Sequence, residues 1–295
     1  MIIGINGNTR KKLFWEKFPD ILKWSEQRNA RIILAESIVE KGPADLRKYP
    51  SKPLTELPKH CDMIFAFGGD GTILNTAQNV ADKETPILGI NLGGLGFLTE
   101  VPMPGCESVF DRILDGDYEI EQRSMLRAKV KGDSTPLYAL NDIVIDRGKF
   151  IRVIEIKIGI DKKYLNSYVA DGLLISTPTG STGYSLSSGG PITFPSSQVL
   201  IINPISPHSL TNRPVIIPDT SVVEATVSSE YPEITVAADG MEARYYKTGA
   251  NLVIEKAPFS AHLVKPTGSD FFALLRSKLN WGEDFRKKNR WGPKS

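Results

Sequence analysis

Short apolar runs alternate with stretches of helical periodicity through the first third of the chain. Four runs predict buried strands, at residues 2–5, 31–34, 63–67 and 86–91. The helix between the first two runs contains Pro19, which must kink or divide it, and residues 42–60 predict a loop because they are rich in proline and charge. Strands that alternate with helices indicate a parallel sheet covered on both faces. The pattern therefore predicts an α/β domain over residues 1–123, with ligands bound at the carboxyl ends of its strands.

The pattern changes near Ser124, where apolar and polar residues begin to alternate with a period of two. Shorter apolar runs follow, and residues 239–240 and 248–249 (Asp-Gly and Thr-Gly) have the composition of hairpin turns. These features predict a mostly antiparallel, all-β domain over residues 124–264.

The end of the chain returns to helical periodicity. A helix over residues 269–280, capped by Ser269, is expected to return to the first domain and bury its apolar face there. Docking of this helix on the β domain is the alternative. Residues 281–295 are basic and predict a solvated tail.

The composition is that of an ordinary soluble protein, and 295 residues are enough for two domains. A formal charge of +2 gives no broad basic face, which argues against nucleic acid as a partner. No apolar run reaches membrane-spanning length, and the first residues lack the pattern of a signal peptide. The two cysteines form no CxxC pair and the three histidines lack ligand spacing, so we expect no protein-bound structural metal and a reducing cytoplasm.

The most informative motif, Gly68-Gly69-Asp70-Gly71-Thr72, stands between the third apolar run and a stretch of helical periodicity. A strand that breaks at glycines and reopens as a helix exposes backbone N–H groups at the positive end of the helix dipole, which suits phosphate. A carboxylate beside phosphates is unfavourable unless it binds a metal or takes a proton, so Asp70 indicates chemistry on a phosphate-bearing ligand. The alternative is a tight turn in which Asp70 caps the helix.

A second motif, residues 170–187, runs from an apolar strand into a stretch dense in glycine and hydroxyl side chains. Such residues bring the backbone close to a ligand and donate to ribose or phosphate oxygens, and Tyr184 offers a flat face for a base or nicotinamide ring. A long polar loop is the alternative. Ser181 does not fit a hydrolase nucleophile elbow because Thr179 stands where that turn needs glycine, and the chain has no Walker A loop.

Two weaker motifs lie between these. Asn141 and Asp142 precede an apolar strand and could bind a planar polar group or a ribose diol, although a strand-entry turn explains the pair equally well. Residues 93–96 (Gly-Gly-Leu-Gly) lack the spacing of the dinucleotide fingerprint and suit a tight connection between domains.

Together these segments resemble the NAD kinase family. The resemblance covers nearly the whole chain, and the segments that carry it are 67–72, 89–97, 140–142, 171–184 and 207–214, in that order. It implies a Rossmann-like parallel α/β domain that binds the phosphate donor, followed by a β domain that binds NAD. It also implies transfer of the terminal phosphoryl group of ATP to the 2′-hydroxyl of the adenosine ribose of NAD, which makes NADP.

The resemblance also assigns roles to individual residues. Asp70 corresponds to the aspartate that activates the ribose hydroxyl, or alternatively holds the metal through water. The residues expected to cradle the phosphates of ATP are Gly68, Gly69, Gly71 and Thr72. Those expected to contact NAD are Asp70, Gly71, Asn75, Asn141, Asp142, Arg152, Asp171, Thr179, Thr182, Gly183, Tyr184, Ser185, Leu186 and Ser187. Asp142 stands where many members have Glu, and Gly94 stands where many have a basic or polar residue.

The resemblance implies Mg²⁺ bound together with ATP, ATP or polyphosphate as the phosphoryl donor, and a cytoplasmic homodimer or homotetramer. Neither a membrane nor nucleic acid is an expected partner. Three alternatives share parts of the pattern. They are a lipid kinase of the diacylglycerol or sphingosine type, a phosphofructokinase-like sugar kinase, and a non-catalytic dinucleotide sensor. No amphipathic membrane helix supports the first, and the layout of the second should stay α/β throughout.

Overall fold

The computed structural model describes residues 1–94, 96–99, 101–149, 151–268 and 270–281. Its α-helices are α1 (Lys12–Gln27), α2 (Glu36–Lys41), α3 (Asp70–Val80), α4 (Cys106–Leu114), α5 (Tyr184–Ser187) and α6 (Phe271–Leu279). The first nine strands are β1 (Ile2–Gly7), β2 (Arg31–Ala35), β3 (Ser51–Lys52), β4 (Met63–Gly68), β5 (Ile87–Asn91), β6 (Val101–Pro102), β7 (Glu119–Val130), β8 (Leu137–Ala139) and β9 (Asp142–Asp146). The strands that follow are β10 (Ile154–Ile160), β11 (Lys163–Ala170), β12 (Gly172–Ser176), β13 (Val199–Ile205), β14 (Val215–Pro218), β15 (Val223–Ser228), β16 (Glu233–Ala238), β17 (Glu242–Lys247) and β18 (Ala250–Lys265).

The first part of the chain forms a parallel sheet with the strand order β3-β2-β1-β4-β5. All four predicted strands are present. Strand β4 lies between β1 and β5 and is buried at every position, which explains its unbroken apolar sequence. Gly68 pairs with Asn91 at the carboxyl ends of β4 and β5. The segments that follow these two residues therefore begin side by side at one edge of the sheet, as predicted.

Helix α1 runs through Pro19 without dividing. Its buried apolar residues are Phe14, Phe18, Ile21 and Trp24, whereas Pro19 is exposed. Proline removes one backbone hydrogen bond, and packing of the apolar face holds the helix together across that gap. Of the two predicted effects of Pro19, division of the helix is therefore wrong, and a kink stays a prediction.

Residues 42–60 are mostly irregular, as predicted, but they contain two 3-10 turns and strand β3. The periodicity did not reveal the short helices α2 and α4. Helix α4 buries only Cys106, Phe110 and Ile113, and three apolar positions are too few to give a clear helical periodicity.

The second part of the chain is a β-sandwich. A six-stranded antiparallel sheet, with the order β14-β13-β12-β9-β16-β17, packs against the antiparallel half of a twelve-stranded sheet that also contains the parallel strands. Apolar residues from both sheets, among them Ile143, Ile156, Leu173 and Ile254, form one buried core between them. The predicted α/β part followed by a mostly antiparallel β part is confirmed.

Strand β18 makes the return to the first part of the chain. It pairs antiparallel with β7 along most of its length, and its Leu263 lies beside Ile87 of β5 in a parallel pair. Helix α6 then follows. Asp270 caps it by accepting the N–H of Phe272 (2.8 Å), and the ring of Phe271 lies 5.3 Å from that of Phe194.

The predicted cap Ser269 and residues 282–295 of the predicted tail lie outside the described residues. Within the described part of the chain, none of the helices has the length and apolar character that crossing a bilayer requires.

Candidate active site

The motif at residues 68–72 is the junction between β4 and α3. Gly69 precedes the helix with an extended backbone (φ −121°, ψ −168°), and no side chain caps it. The first N–H groups of a helix have no acceptor within the helix, although that of Thr72 reaches the carbonyl of Gly69 (2.9 Å). Apart from adjacent residues and the helix itself, no atom lies within 4 Å of where a Cβ would stand at Gly69 or Gly71. The junction therefore leaves room for an anion at the positive end of the helix dipole.

Asp70 is the first residue of α3, and its half-buried carboxylate points away from the helix backbone. The carboxylate accepts hydrogen bonds from the backbone N–H groups of Phe97 (2.8 Å) and Leu98 (3.0 Å). Gly96 lies so close that a Cβ there would stand 1.8 Å from Asp70 Oδ1. The alternative in which Asp70 caps its own helix is therefore not what the structure contains. The carboxylate is held instead by the segment that follows β5.

The segment after β5 is a tight connection organised by Asn91. The side-chain amide of Asn91 donates to Thr99 Oγ1 (2.7 Å) and to the carbonyl of Gly94 (3.1 Å), and its oxygen accepts the N–H of Gly93 (2.6 Å). Leu95 lies outside the described residues. These bonds fix the segment that presents the two amides to Asp70.

The Asn141–Asp142 turn lies at the start of β9 and is held by Asp239. The carboxylate of Asp239 accepts the backbone N–H groups of Leu140 (2.9 Å), Asn141 (2.7 Å) and Asp142 (3.1 Å), and the side-chain amide of Gln78 (3.0 Å). Asp142 is only 4% exposed. Burial, and next the charge of Asp239, raise the pKa of Asp142 from 3.8 to about 7. Burial likewise raises the pKa of Asp239.

The glycine- and hydroxyl-rich segment packs directly on this turn. Its first residues form a 3-10 turn, Thr179–Thr182, which is followed by α5. A Cβ at Gly180 would stand 2.2 Å from the carbonyl oxygen of Asn141, so this contact requires glycine. The Nδ2 atom of Asn141 lies against Gly183, while its Oδ1 atom is buried and has no hydrogen-bond partner among the described residues. A buried acceptor without a donor is a candidate contact for a ligand.

Two clefts border these segments. One, of about 310 Å³, lies between Leu98 of the Asp70-binding segment and Thr179 and Thr182 of the 3-10 turn, with Arg123 in its wall. The other, of about 420 Å³, is lined by Asn141, Asp142, Asp146, Tyr184, Thr235 and Asp239. The phenol of Tyr184 is 45% exposed, and its pKa is raised by burial and by the neighbouring carboxylates of Asp146, Asp142 and Asp171.

Five other predicted residues line neither of these clefts. Asn75 is exposed on α3, three residues before Gln78 and so on the same side of the helix. Asp171 forms an ion pair with Arg147 (Oδ1 to Nε, 3.3 Å). In α5, Ser185 is buried with an unpartnered Oγ, Leu186 is half-buried and Ser187 is exposed.

Arg152 lies apart from the other predicted site residues. It is exposed and pairs with Glu230 (2.7 Å), and it lines neither of the two clefts. The structure therefore does not bring it together with the other predicted residues.

The sequence interpretation missed several residues of this region. It treated Asp239 only as part of a hairpin turn, and it did not single out Gln78 or Arg123. Arg123 is 3% exposed and donates to Thr179 Oγ1 (3.2 Å) and Glu121 (2.6 Å). Burial of Arg123 would have indicated a role in the site, because buried guanidinium groups are paired. The position itself is visible only in the fold.

No group of three or more histidine, cysteine, aspartate or glutamate side chains in the described part of the chain could hold a metal ion. Both oxygens of Asp70 already accept backbone N–H groups. These donor sets fit a cation that arrives on the phosphates of a ligand better than one held by a protein cage.

A helix start suited to phosphate, a fixed carboxylate beside it and an adjoining β-sandwich with polar clefts favour a phosphotransferase. Residues 21–118 match the ATP-NAD kinase N-terminal domain, and residues 140–266 match the ATP-NAD kinase C-terminal domain. The chain is 41% identical to the NAD kinase of Geotalea daltonii over 231 residues, which are 77% of this chain and 81% of that protein. It is 38% identical to the NAD kinase of Moorella thermoacetica over 288 residues, 95% of this chain and 89% of that one. The chain belongs to the NAD kinase family.

Solved structures share the fold. Yeast NADH kinase complexed with NADH superposes with a TM-score of 0.88 at 24% identity, over 98% of this chain and 90% of that chain. An NAD kinase from Archaeoglobus fulgidus in complex with ATP superposes with a TM-score of 0.77 at 24% identity, over 95% of this chain and 99% of that chain. The lipid-kinase, sugar-kinase and non-catalytic alternatives are not favoured, since the curated relatives are NAD kinases.

Proposed function

We propose that this protein transfers the terminal phosphoryl group of ATP to the 2′-hydroxyl of the adenosine ribose of NAD, and that Asp70 is the catalytic base. The observation that carries the proposal is the position of Asp70. Its carboxylate is fixed by two backbone N–H groups at the start of a helix that offers its own free N–H groups to phosphate.

The proposed step balances as follows. The ribose 2′-oxygen gives its proton to Asp70 and forms a bond to the γ-phosphorus, while the bond from that phosphorus to the β-phosphate oxygen breaks and ADP leaves. Such a transfer needs positioning and charge neutralisation more than covalent chemistry by the protein. Gly68, Gly69, Gly71 and Thr72 supply the backbone around the donor phosphates. Mg²⁺ bound to ATP would neutralise phosphate charge at this junction.

The turn at Asn141 and Asp142 and the segment from Thr179 to Ser187 are proposed to hold NAD. The unpartnered Oδ1 of Asn141 could accept a hydrogen bond from the dinucleotide, and Tyr184 offers an exposed ring for stacking. Two solved neighbours of the same fold, one complexed with NADH and one with ATP, support both ligands. Asn75, Asp171 and Arg152 remain proposed contacts. The exposed ion pair of Arg152 would have to move toward the ligand.

The test is formation of NADP from MgATP and NAD by the purified protein, measured with an NADP-specific dehydrogenase. Parallel reactions replace ATP with polyphosphate, omit Mg²⁺, or use NAD that lacks the adenosine 2′-hydroxyl. We expect NADP only with a phosphoryl donor, a divalent cation and the intact hydroxyl. If complete reactions yield no NADP, the proposed function is wrong.

We extend the proposal to a cytoplasmic homodimer or homotetramer. Exposed apolar side chains on the β-sandwich support association, among them Ile216 and Tyr245. Analytical ultracentrifugation of the purified protein tests this, and a monomer at micromolar concentration would contradict it.

A further inference from the structure

The buried carboxylate of Asp239 receives four hydrogen bonds from two parts of the fold. We propose, building on the function proposed above, that Asp239 is a positioning residue. Its carboxylate fixes the turn that carries Asn141 and Asp142, and ties this turn to the helix that begins at Asp70. Asp239 itself need not touch either substrate.

The first half of this role is visible in the turn. Three successive backbone N–H groups, those of Leu140, Asn141 and Asp142, converge on the two oxygens of Asp239, which makes a small anion-binding nest. In return, the N–H of Asp239 donates to the carbonyl of Asp142 (2.9 Å). Asp239 reaches this position because it adopts a left-handed backbone (φ 52°) in the β16–β17 hairpin. Both the side chain and the backbone of Asp239 therefore hold the turn in place.

A carboxylate suits this place better than an amide. All four groups that hydrogen-bond to the side chain of Asp239 are donors, and an ionised carboxylate offers acceptors only. An asparagine would turn an N–H₂ group toward at least one of these N–H groups and leave that donor unsatisfied. The residue type at position 239 is thus set by the backbone of the Asn141–Asp142 turn, which does not depend on NAD being bound.

The second half of the role is the link to α3. Gln78 lies eight residues along α3 from Asp70, and its Nε2 donates to Asp239 Oδ2 (3.0 Å). An α-helix moves as a rigid rod over two turns, about 12 Å. The bond from Gln78 to Asp239 joins residues 161 positions apart, and it therefore couples the position of the proposed base to the turn proposed to hold NAD.

The test compares Asp239→Asn with the matched variant Asp161→Asn. Asp161 also has a left-handed backbone in a hairpin (φ 50°), donates its N–H to the carbonyl of Val222 (3.0 Å) and accepts the N–H of Val222 (2.9 Å). It differs by lying in the β10–β11 turn, away from the proposed site. We expect Asp239→Asn to raise the KM for NAD about tenfold to a hundredfold with the KM for ATP within twofold. Asp161→Asn should change neither constant, although both variants lower the melting temperature.

Gln78→Met tests separately the coupling between α3 and the Asn141–Asp142 turn. It also provides a test of the proposal if Asp239→Asn does not fold. It removes the cross-link and keeps the length of the side chain. We expect kcat to fall about fivefold to tenfold while the dissociation constant of NAD, measured by calorimetry, stays within twofold. An unchanged kcat would overturn the coupling, and an unchanged KM for NAD in folded Asp239→Asn would overturn the positioning of the turn. Because calorimetry reports NAD binding without turnover, these outcomes differ from failure of the wild-type protein to make NADP.

Discussion

A side chain at residue 96 would collide with the catalytic candidate, since the Cβ position of Gly96 lies 1.8 Å from Oδ1 of Asp70. The absence of a side chain lets the neighbouring backbone close over the carboxylate, so that the N–H groups of Phe97 and Leu98 reach both of its oxygens. The geometry of Asp70 thus depends on a residue 26 positions away that contributes no functional group of its own.

Substitution of this glycine should therefore damage activity through Asp70. We expect Gly96→Ala to lower kcat by about one to two powers of ten, because a shift of the carboxylate by about 1 Å spoils proton-transfer geometry. Gly94→Ala is the matched control, since Gly94 is exposed and a Cβ there meets no atom within 4 Å. Steady-state NADP formation measures both variants. Equal kcat values for the two would mean that the enclosure of Asp70 does not matter for turnover.

Removal of the charge at residue 70 gives a larger expected effect. Asp70→Asn should lower kcat by roughly two to four powers of ten, because an amide cannot take the ribose proton. NAD should still bind, with a dissociation constant by calorimetry within a few-fold of wild type. Asp82→Asn, at an exposed carboxylate paired with Lys83, serves as a control of equal charge. Near-normal turnover of Asp70→Asn would refute the assignment of the base.

The structural features that could be predicted from the sequence are those whose cause is local. Strand β4 and helix α3 follow from unbroken and periodic apolar patterns, and the Gly68–Thr72 junction follows from glycine between them. The predicted order of an α/β part and a β part is present for the same reason. The boundary at residues 123–124 remains a prediction, because β7 runs from Glu119 to Val130 and pairs with β18 on both sides of it.

Features whose cause is tertiary could not be predicted. A hairpin signal located Asp239 but not the acceptor role of its carboxylate, which depends on Leu140 to Asp142 lying opposite it in the sandwich. Pro19 suggested a kinked or divided helix, and the division did not occur because local preference says nothing about the apolar face that holds α1 together. Arg123 was missed because nothing in its neighbours along the chain indicates that it is buried against Thr179.

The ring of Tyr184 is expected to contribute to binding rather than to chemistry. Tyr184→Ala should raise the KM for NAD about tenfold with a smaller loss of kcat, because stacking on a base or nicotinamide ring is lost. Tyr184→Phe keeps the ring and should stay within about twofold. Tyr164→Ala, at an exposed tyrosine on β11, is the control for loss of a surface ring. A KM for NAD that does not change in Tyr184→Ala would mean that the ring does not contact the dinucleotide.

The buried carboxyl of Asp142 should make stability depend on pH. Its pKa rises from 3.8 in the unfolded chain to about 7 in the folded protein, through burial and then the charge of Asp239. Between about pH 4 and pH 7 the folded protein keeps a proton that the unfolded chain releases. The favourable contribution of this proton is complete below about pH 4 and is lost as the pH rises through 7. Ionised Asp142 is therefore destabilising at pH 8.

An asparagine at this position cannot ionise. Asp142→Asn should therefore gain stability relative to wild type as the pH rises from 4.5 to 8. The difference in unfolding free energy between variant and wild type should grow across this range by about 3 kcal/mol. Urea unfolding at pH 4.5, 6 and 8 measures it. A difference for Asp142→Asn that stays constant from pH 4.5 to pH 8 would show that residue 142 is already ionised at pH 4.5, and the raised pKa would be wrong.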